Sequence, residues 1–364
     1  MMERLEKRDI ATALLCSRAS LRYFSNYSPS PVSEFSALNP LLGLLLLRRD
    51  EAPHLFLASE ESEIPLAEIK RESVVEYSLI TEATWVEKLC ERIIPELRRL
   101  PPGKLAYEGQ CIPASLALRL QASCSHLEWT PIEAELLRLQ AVKDEDEVEA
   151  IRAAVALADL GHEVVCRMAR PGITELELFA AARQAMELQA GARLQVLANF
   201  ISGPRTAACS GPPTRRTLQP GDLVISDLTP HLAGYWGDTC TTCAVEEPSA
   251  NQRRAYGFLT DAMDEALAAL RPGLSAGEFD RRMRAAMATR GVYYSHHSGH
   301  GIGLHCHEPP ALAPGCEMAL EPGMVVALEP GMYFPGHWGM RIEHVALVTE
   351  HGAELLSRFQ HRLA

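Results

Sequence analysis

Two acidic residues have the spacing expected of facing positions in a β-hairpin. Asp227 and Asp238 lie symmetrically about Leu232-Ala233, in the segment GDLVISDLTPHLAGYWGDTCTTC that runs from 221 to 243. Its β-branched and aromatic residues favour strands, and its proline and glycines favour a turn. Carboxylates opposed on paired strands repel unless a proton or a cation lies between them. The pair is therefore a candidate metal site, although two acids at strand ends need have no function on their own.

A second copy of the pattern strengthens the metal interpretation. The sequence PGMVVALE, which ends at Glu329, repeats PGDLVISD, which ends at Asp227. Glu343 then corresponds to Asp238, and Glu329 and Glu343 are centred on Gly336 in the turn-like sequence FPGH. Two such hairpins that meet would bring four carboxylates to one centre.

The repeat continues upstream of the hairpins. The sequence RPGIT at 170–174 matches RPGLS at 271–275. Thr174 with Glu177, and Ser275 with Glu278, have the spacing of a helix capping box, in which hydroxyl and carboxylate bond each other's backbone donors. We therefore predict two related units, each made of helix, helix and hairpin, with an internal pseudo-twofold repeat.

Histidines are concentrated before the second hairpin. Five of the thirteen lie in SHHSGHGIGLHCHEPP, residues 295–310. Glycines on both sides of His300 allow the backbone to approach a ligand closely, as a metal-bound imidazole flanked by other ligands requires. A single histidine is more often structural, but this density beside acidic hairpins favours metal coordination or acid–base chemistry.

Composition and charge restrict the class of protein. The 364 residues suit about two domains, and the net charge of −12 argues against a nucleic-acid partner, which would need a basic face. The charged start MMERLEKRDI is not followed by an apolar secretory core, and the run LLGLLLL is too short to span a bilayer. Ten scattered cysteines indicate reduced thiols. We predict a cytoplasmic protein without a membrane partner.

The elements that must position these residues fall into two predicted domains. In residues 1–133, short apolar runs alternate with helix-like segments such as Trp85 to Leu100, which indicates an α/β domain with a mixed sheet. Residues 145–364 hold the repeated units and read as an α+β domain. Its predicted elements begin with a long helix near Glu147 to Met168, a helix at Glu175 to Gln189 and a strand at Val196 to Ser202.

The order of these motifs resembles a known family. An aspartate, a second aspartate eleven residues on, GHGIGLxxHEPP, ALEPGMY and RIE are similar to the pita-bread metallopeptidases, namely Xaa-Pro aminopeptidase, prolidase and methionine aminopeptidase, with creatinase as a non-peptidase relative. The resemblance covers the C-terminal part closely and the N-terminal part by general layout. It implies a pita-bread catalytic domain at 145–364, a creatinase-like α/β domain at 1–133 and a homodimer.

The resemblance also assigns residues to roles. It implies a centre of two divalent metal ions, whose bridging hydroxide would attack the amide carbonyl of a small peptide or amide substrate. The implied metal ligands are Asp227, Asp238, His300, Glu329 and Glu343, with Asp238 and Glu343 bridging. The implied catalytic residues are His307 near the scissile carbonyl, Glu329 as a proton shuttle and Arg341 just before the last ligand. Four carboxylates and one imidazole suit Mn(II), with Co(II), Fe(II) or Zn(II) as alternatives.

Three positions depart from the family's pattern. Ser210 stands where the peptidases have a histidine of the substrate pocket, to which we also assign His296. Thr241 replaces an arginine, and His344 replaces an acid. We therefore predict a hydrolase that resembles Xaa-Pro aminopeptidase or dipeptidase. The alternatives are a non-peptide enzyme on the same scaffold, such as a creatinase-like C–N hydrolase or a metal-dependent lyase, and a catalytically inactive binding module.

Overall fold

The computed structural model describes residues 9–29, 41–49, 51–59, 74–77, 84–290, 292 and 296–363. The chain divides into two compact units, Met1–Leu139 and Gln140–Ala364. The first is an α/β unit and the second an α+β unit, so the predicted fold class is confirmed. The division lies inside a helix, between the predicted domain ends at 133 and 145.

The first unit is built on a six-stranded mixed sheet. In chain order its elements are β1 (Ile10–Leu15), α1 (Arg18–Ser25), β2 (Leu44–Arg48), β3 (His54–Ala58), β4 (Val74–Tyr77), α2 (Trp85–Arg98), β5 (Gly103–Tyr107), α3 (Ala114–Ser123), β6 (Leu127–Pro131) and α4 (Glu133–Ala141), which crosses the division. The strand order is β4-β3-β2-β1-β5-β6. Strand β1 is antiparallel to β2 and parallel to β5.

Both faces of this sheet are covered, because neighbouring residues of a strand point to opposite sides. In β1, Leu14 packs in a cluster with Ile93 of α2 and Leu120 of α3, whereas Leu15 packs in a second cluster with Leu21 of α1. Strands buried on both faces read as continuous apolar runs, which explains the leucine-rich sequence of β2.

The second unit contains two halves with the same order of elements. The first half comprises α5 (Glu145–Met168), α6 (Glu175–Ala190), β7 (Gln195–Ser202), a 3-10 helix (Gly203–Ala208), β8 (Leu223–Leu232), β9 (Tyr235–Trp236) and β10 (Thr239–Ala244). The second half comprises α7 (Ala250–Ala269), α8 (Ala276–Ala288), β11 (Gly299–Gly301), β12 (Glu308–Leu312), β13 (Val325–Leu328), β14 (Gly331–Phe334), β15 (Trp338–Arg341), β16 (His344–Thr349) and β17 (Gly352–Leu355).

Each half has its own sheet and its own core. In the first half β8 lies between β7 and β10, and β9 pairs with β8. In the second half the order is β12-β11-β13-β16-β17, with β14 and β15 forming a separate two-stranded sheet. One apolar cluster joins α5 and α6 to the first sheet, and another joins α7 and α8 to the second.

Equivalent backbone hydrogen bonds occur in the two halves, which supports the predicted internal repeat. The N–H of Gly172 donates to the carbonyl of Leu218 at 3.1 Å, and the N–H of Gly273 donates to the carbonyl of Leu320 at 2.9 Å. Both glycines have φ near +80° to +90°, the left-handed region that a side chain disfavours. The turn before the second helix therefore docks in the same way in each half.

The two predicted capping boxes differ. The Thr174 hydroxyl accepts the N–H of Glu177 at 3.2 Å, and the Glu177 carboxylate accepts the N–H of Thr174 at 2.8 Å, which completes the box. The Ser275 hydroxyl accepts the N–H of Glu278 at 3.2 Å, but the Glu278 carboxylate turns to two arginines in the next turn of the helix. The reciprocal half of the second box is therefore wrong, because guanidinium groups compete for that carboxylate.

The predictions of reduced cysteines and of no membrane-spanning segment can be compared with the described residues. All ten cysteines are free, and Cys240 and Cys243 of the CxxC sequence are buried strand residues. Within the described ranges, no helix combines the length and apolar character that crossing a bilayer requires.

The C-terminal segment is attached to α5 through a buried carboxylate. The Asp159 Oδ2 atom accepts the N–H of Arg358 at 2.6 Å, while Oδ1 has no hydrogen-bond partner. Burial raises the pKa of Asp159 to about 6, although backbone hydrogen bonds from Arg358 and Phe359 oppose the shift. Asp159 therefore binds a proton more readily in the folded state than in the unfolded chain.

We predict that Asp159→Asn removes a pH-dependent loss of stability. The pKa of Asp159 in the folded state lies above the unfolded value of about 3.9, so its contribution is fully present below about pH 4 and is lost as the pH rises through about 6. Relative to the wild type, the variant should gain up to about 2 kcal/mol between pH 4 and pH 7. Urea unfolding at several pH values measures this gain. Asp261→Asn, at an exposed position of α7, is the control, and a pH-independent difference for Asp159→Asn would contradict the prediction.

Candidate metal centre

The first hairpin is present, but its register differs from the predicted one. Asp227 of β8 lies opposite Cys240 of β10, and the same register places Asp238 opposite Thr229. The direct opposition of Asp227 and Asp238 is therefore wrong. Thr229 is two residues beyond Asp227, so Asp238 lies diagonally across from Asp227 on the same face of the sheet. The Thr229 hydroxyl donates to Asp238 Oδ1 at 2.9 Å.

The turn explains this shift. Leu232 pairs with Tyr235, which leaves Ala233 and Gly234 as a two-residue turn with φ of 50° and 94°. Left-handed φ values at both central positions are required by the type I′ turn that suits the twist of a hairpin. The hairpin is consequently centred one residue later than the symmetry of the two acids indicated.

The second hairpin has the predicted register. Gly331 of β14 lies opposite Arg341 of β15, and β13 pairs with β16 in the same register on the other side of the two acids. Glu329 therefore lies opposite Glu343. Facing glutamates at a strand junction remain close to each other only if positive charge is supplied nearby.

The returning strands of the two hairpins contact each other. The N–H of Glu343 donates to the carbonyl of Cys240 at 2.8 Å. The Thr242 hydroxyl donates to the carbonyl of Arg341 at 2.8 Å and lies 3.0 Å from the N–H of Arg341. These bonds join the halves directly behind the acidic residues, so all four carboxylates converge.

His300 enters from the short strand β11, between β12 and β13. The preceding Gly299 is required there, because an added Cβ would lie 2.0 Å from the carbonyl oxygen of Ala327. The Nδ1 atom of His300 lies 3.0 Å from the carbonyl oxygen of Gly301, which fixes Nδ1 as the donor and leaves the Nε2 lone pair free.

The free nitrogen of His300 faces the carboxylates. Its Nε2 atom lies 3.7 Å from Asp238 Oδ2, 3.9 Å from Glu329 Oε1 and 4.0 Å from Glu343 Oε1. Burial lowers the pKa of His300 to about 4, although Glu329 opposes the shift, so the imidazole is neutral near pH 7. A neutral imidazole among carboxylates is the form that binds a divalent cation.

The buried carboxylates around His300 repel one another, so positive charge or protons must lie among them. All five predicted ligands are at most 8% exposed. Burial first, and then the charge of Asp227, raises the pKa of Asp238 well above its usual range. Burial and the charge of Asp238 do the same for Glu343. The donor atoms group within 4.8 Å of one another, in sets that include Asp227, Asp238 and Glu343, so the residues fit divalent metal ions.

These residues line a cavity of about 390 Å³. Its lining comprises Leu197, Ala198, Asn199, Cys209, Asp227, Thr229, Asp238, His296, His297, His300, Cys306, His307, Glu329, Arg341 and Glu343. All the predicted site residues except Ser210 are present. The ring of His307 lies 4.0 Å from that of His300, and His296 Nε2 lies 3.1 Å from the Tyr333 hydroxyl.

Two lining residues that sequence analysis missed lie around Asp227: Asn199 bonds it directly, and Cys209 bonds the arginine that pairs with it. The Asn199 amide donates to Asp227 Oδ2 at 2.9 Å, and the buried Arg341 guanidinium pairs with the same oxygen. Arg341 also donates to the carbonyl of Cys209 at 3.2 Å. In the sequence, Asn199 could have been recognised as a lining residue only by its position in the strand before the first hairpin. Cys209 could have been recognised only as the neighbour of Ser210.

Ser210 is exposed and does not line the cavity, whereas the preceding Cys209 does. Cys209 has φ of 68°, which turns the chain at this point. The loop is held by the fully buried Glu175, whose carboxylate accepts the Ser202 hydroxyl at 2.7 Å and the N–H of Thr214 at 2.9 Å. The structure therefore does not bring Ser210 to the cavity that holds the candidate metal ligands.

Thr241 and His344, the other two residues that depart from the family's pattern, also lie outside the cavity lining. The Thr241 hydroxyl is 3.1 Å from His361 Nδ1, and the rings of His344 and His361 are 4.3 Å apart. His344 Nδ1 lies 2.6 Å from the Ser357 hydroxyl. Thr241 and His344 thus pack against the C-terminal segment and give no direct argument for a changed substrate.

A buried ion pair supports the loop that carries His307. Lys143 and Glu308 form the pair with side chains only 1% exposed, and Lys143 Nζ also donates to the carbonyl of Ala141 at 3.0 Å. The second carboxylate oxygen of Glu308 accepts the N–H of His305 at 3.2 Å. Removing one partner of such a pair leaves an uncompensated buried charge.

We predict that Lys143→Met lowers the free energy of unfolding by about 3–5 kcal/mol, whereas Lys143→Met/Glu308→Leu recovers most of the loss. The double variant replaces both charges with apolar groups of similar volume. Urea unfolding of the full chain measures both changes. Arg152→Met is the control, because Arg152 and Glu354 form an exposed pair for which a loss of about 1 kcal/mol or less is expected. A double variant as unstable as the single one would contradict the prediction.

Comparison with known proteins relates this site to a family. Residues 149–350 match the family described as metallopeptidase family M24, and residues 1–142 match the creatinase/prolidase N-terminal domain. The probable dipeptidase PepE of Mycobacterium tuberculosis is 36% identical over 231 residues, which cover 63% of this chain. The match spans 61% of the length of that relative.

Other relatives match nearly the whole chain. The Xaa-Pro dipeptidase of Pyrococcus furiosus is 29% identical over 345 residues, which cover 92% of this chain and 93% of that protein. The solved structure of a Xaa-Pro dipeptidase from Bacillus anthracis superposes with a TM-score of 0.86 at 26% identity, covering 100% of this chain and 97% of that one.

Proposed function

Since the chain belongs to metallopeptidase family M24, we propose that it is a two-metal peptidase that hydrolyses small peptides of the Xaa-Pro type. One observation supports this most: four carboxylates and one imidazole, supplied by both halves of the repeat, surround a single cavity. The names of the Mycobacterium and Pyrococcus relatives, both dipeptidases, favour a short peptide as the substrate.

The residues that would hold the metal ions are Asp227, Asp238, His300, Glu329 and Glu343. Their oxygen-rich donor set leads us to propose Mn(II), with Co(II), Fe(II) and Zn(II) as alternatives. When bound, two such ions supply Lewis acidity that polarises the substrate carbonyl and lowers the pKa of a bound water. Asp238 and Glu343 would help to hold both ions.

The remaining side chains would orient the substrate and move protons. His307 is exposed at the cavity, close to His300, so its imidazole can donate a hydrogen bond to a carbonyl oxygen or a proton to the leaving nitrogen. The Glu329 carboxylate can accept a proton from an attacking water and pass it on. Arg341 holds Asp227 and so fixes the orientation of that ligand.

The assembly and the compartment belong to the same proposal. We propose a homodimer, on the resemblance to the Xaa-Pro peptidases, and a cytoplasmic location, on the ten free cysteines. Size-exclusion chromatography with light scattering measures the oligomeric state directly.

We predict that the Mn(II)-loaded protein cleaves a panel of Xaa-Pro dipeptides and tripeptides. Asp238→Ala should lower kcat/KM by at least about 100-fold, because it removes a proposed bridging ligand. Asp261→Ala, at an exposed position of α7, is the matched control and should retain activity. Chromatographic detection of the released amino acids measures turnover.

The Ser210→His variant separates the alternatives. Because Ser210 lies outside the cavity lining, we expect this variant to cleave the same peptides at rates close to the wild type. No cleavage by the metal-loaded wild type, with activity appearing in Ser210→His, would contradict the proposed substrate. It would favour a non-peptide C–N hydrolase or lyase on the same scaffold.

A further inference from the structure

The C-terminal segment, residues 356–363, is bonded to one strand of each half of the second unit. At its start the N–H of Leu356 donates to the carbonyl of Val345 on β16 at 2.8 Å. Near its end the carbonyl of Leu363 accepts the N–H of Ala244 on β10 at 2.6 Å. The segment therefore links the two copies of the repeat, although it follows both of them in the chain.

The two strands that it links begin at the proposed bridging ligands. Strand β10 begins directly after Asp238, and β16 begins directly after Glu343. Successive side chains of a strand point to opposite faces, so Thr241 and His344 point away from the cavity that the two acids line. The C-terminal segment contacts this reverse side of the metal centre.

His361 of the segment contacts a side chain from each of these strands. Its Nδ1 atom lies 3.1 Å from the Thr241 hydroxyl, and the centre of its ring lies 4.3 Å from that of His344. Burial lowers the pKa of His344 to about 4, and burial together with His344 lowers the pKa of His361 to about 2. Near pH 7 the three side chains therefore form a contact between neutral groups.

Thr241 and His344 are also positions at which the chain departs from the family's pattern. The resemblance places an arginine at 241 and an acid at 344. Because one imidazole contacts both side chains, an arginine and an acid at these positions would be close enough to form an ion pair between the strands. This chain has neither charge, and the ring of His361 lies between the two positions instead.

We propose that His361 is a positioning residue of the metal centre, which holds β10 and β16 together behind Asp238 and Glu343. The inference rests on the proposed two-metal site and adds to it a residue from the C-terminal segment. Removing the imidazole leaves a gap between the strands, so the spacing of the two ligands can change. Groups that orient metal ligands in this indirect way affect metal affinity by about 10–100-fold.

Metal binding, measured without turnover, tests this role. The purified full chain, stripped of metal, is titrated with CoCl₂ by calorimetry, and the visible absorption of bound Co(II) is recorded. We expect His361→Ala to weaken Co(II) binding by about tenfold and to change the absorption spectrum. The matched control is His351→Ala, at an exposed position of the turn between β16 and β17, which should bind Co(II) as the wild type does.

A compensating variant tests the mechanism. Thr241→Arg and His344→Asp are introduced together into the His361→Ala chain, so that an ion pair can form in the space that the imidazole leaves. We expect this triple variant to recover most of the lost Co(II) affinity, because a charge-assisted hydrogen bond again joins the strands.

A second variant guards against a failure of His361→Ala to fold. Thr241→Val keeps the shape of the side chain but removes the hydroxyl that His361 contacts, so it should weaken Co(II) binding without opening a gap. Circular dichroism and the midpoint of thermal unfolding verify that each variant is folded.

The outcomes distinguish this proposal from the proposed function. Unchanged Co(II) affinity and spectrum in both His361→Ala and Thr241→Val, even with a lower unfolding midpoint, would overturn His361 as a positioning residue. A triple variant that stays as weak as His361→Ala would overturn the replacement of an ion pair. Weakened binding that the triple variant restores, with no peptide cleavage by the wild type, would support His361 and reject the peptidase. No Co(II) binding by the wild type would overturn the metal centre and the role of His361 with it.

Discussion

The second unit is organised around the mutual repulsion of four buried carboxylates. Burial favours the neutral forms of Asp238 and Glu343, and the neighbouring negative charges add to this preference, so both have raised pKa values. Protons or divalent cations can relieve the repulsion. A fold that keeps this arrangement with His300 neutral beside it is therefore suited to binding metal ions.

Neither half of the repeat can build the centre alone. The first hairpin supplies two aspartates, and the second supplies two glutamates together with the strand that carries His300. The two returning strands are joined by backbone and threonine hydrogen bonds, and Arg341 of the second hairpin pairs with Asp227 of the first. The two copies of the hairpin thus meet at a site that carries four carboxylates, twice as many as either copy supplies.

Sequence reasoning succeeded where a pattern is local and failed where a single turn residue sets the register. The long helix, the strand before the first hairpin and the second hairpin all follow from periodicity and repeated motifs. The first hairpin is centred one residue later than predicted, because Ala233 and Gly234 form a tight turn. The second capping box is incomplete, because arginines on the same helix bind its glutamate.

The sequence by itself determined the chemistry: repeated acids, a histidine between glycines and their order along the chain imply a family and a set of metal ligands. Tertiary structure decided which neighbours complete the site. It placed Asn199, Cys209 and His297 in the lining and left Ser210 outside. The physical reason is that spacing along a chain reports which face of a strand or helix a residue occupies, whereas contacts between two halves depend on turn geometry and on packing of distant elements.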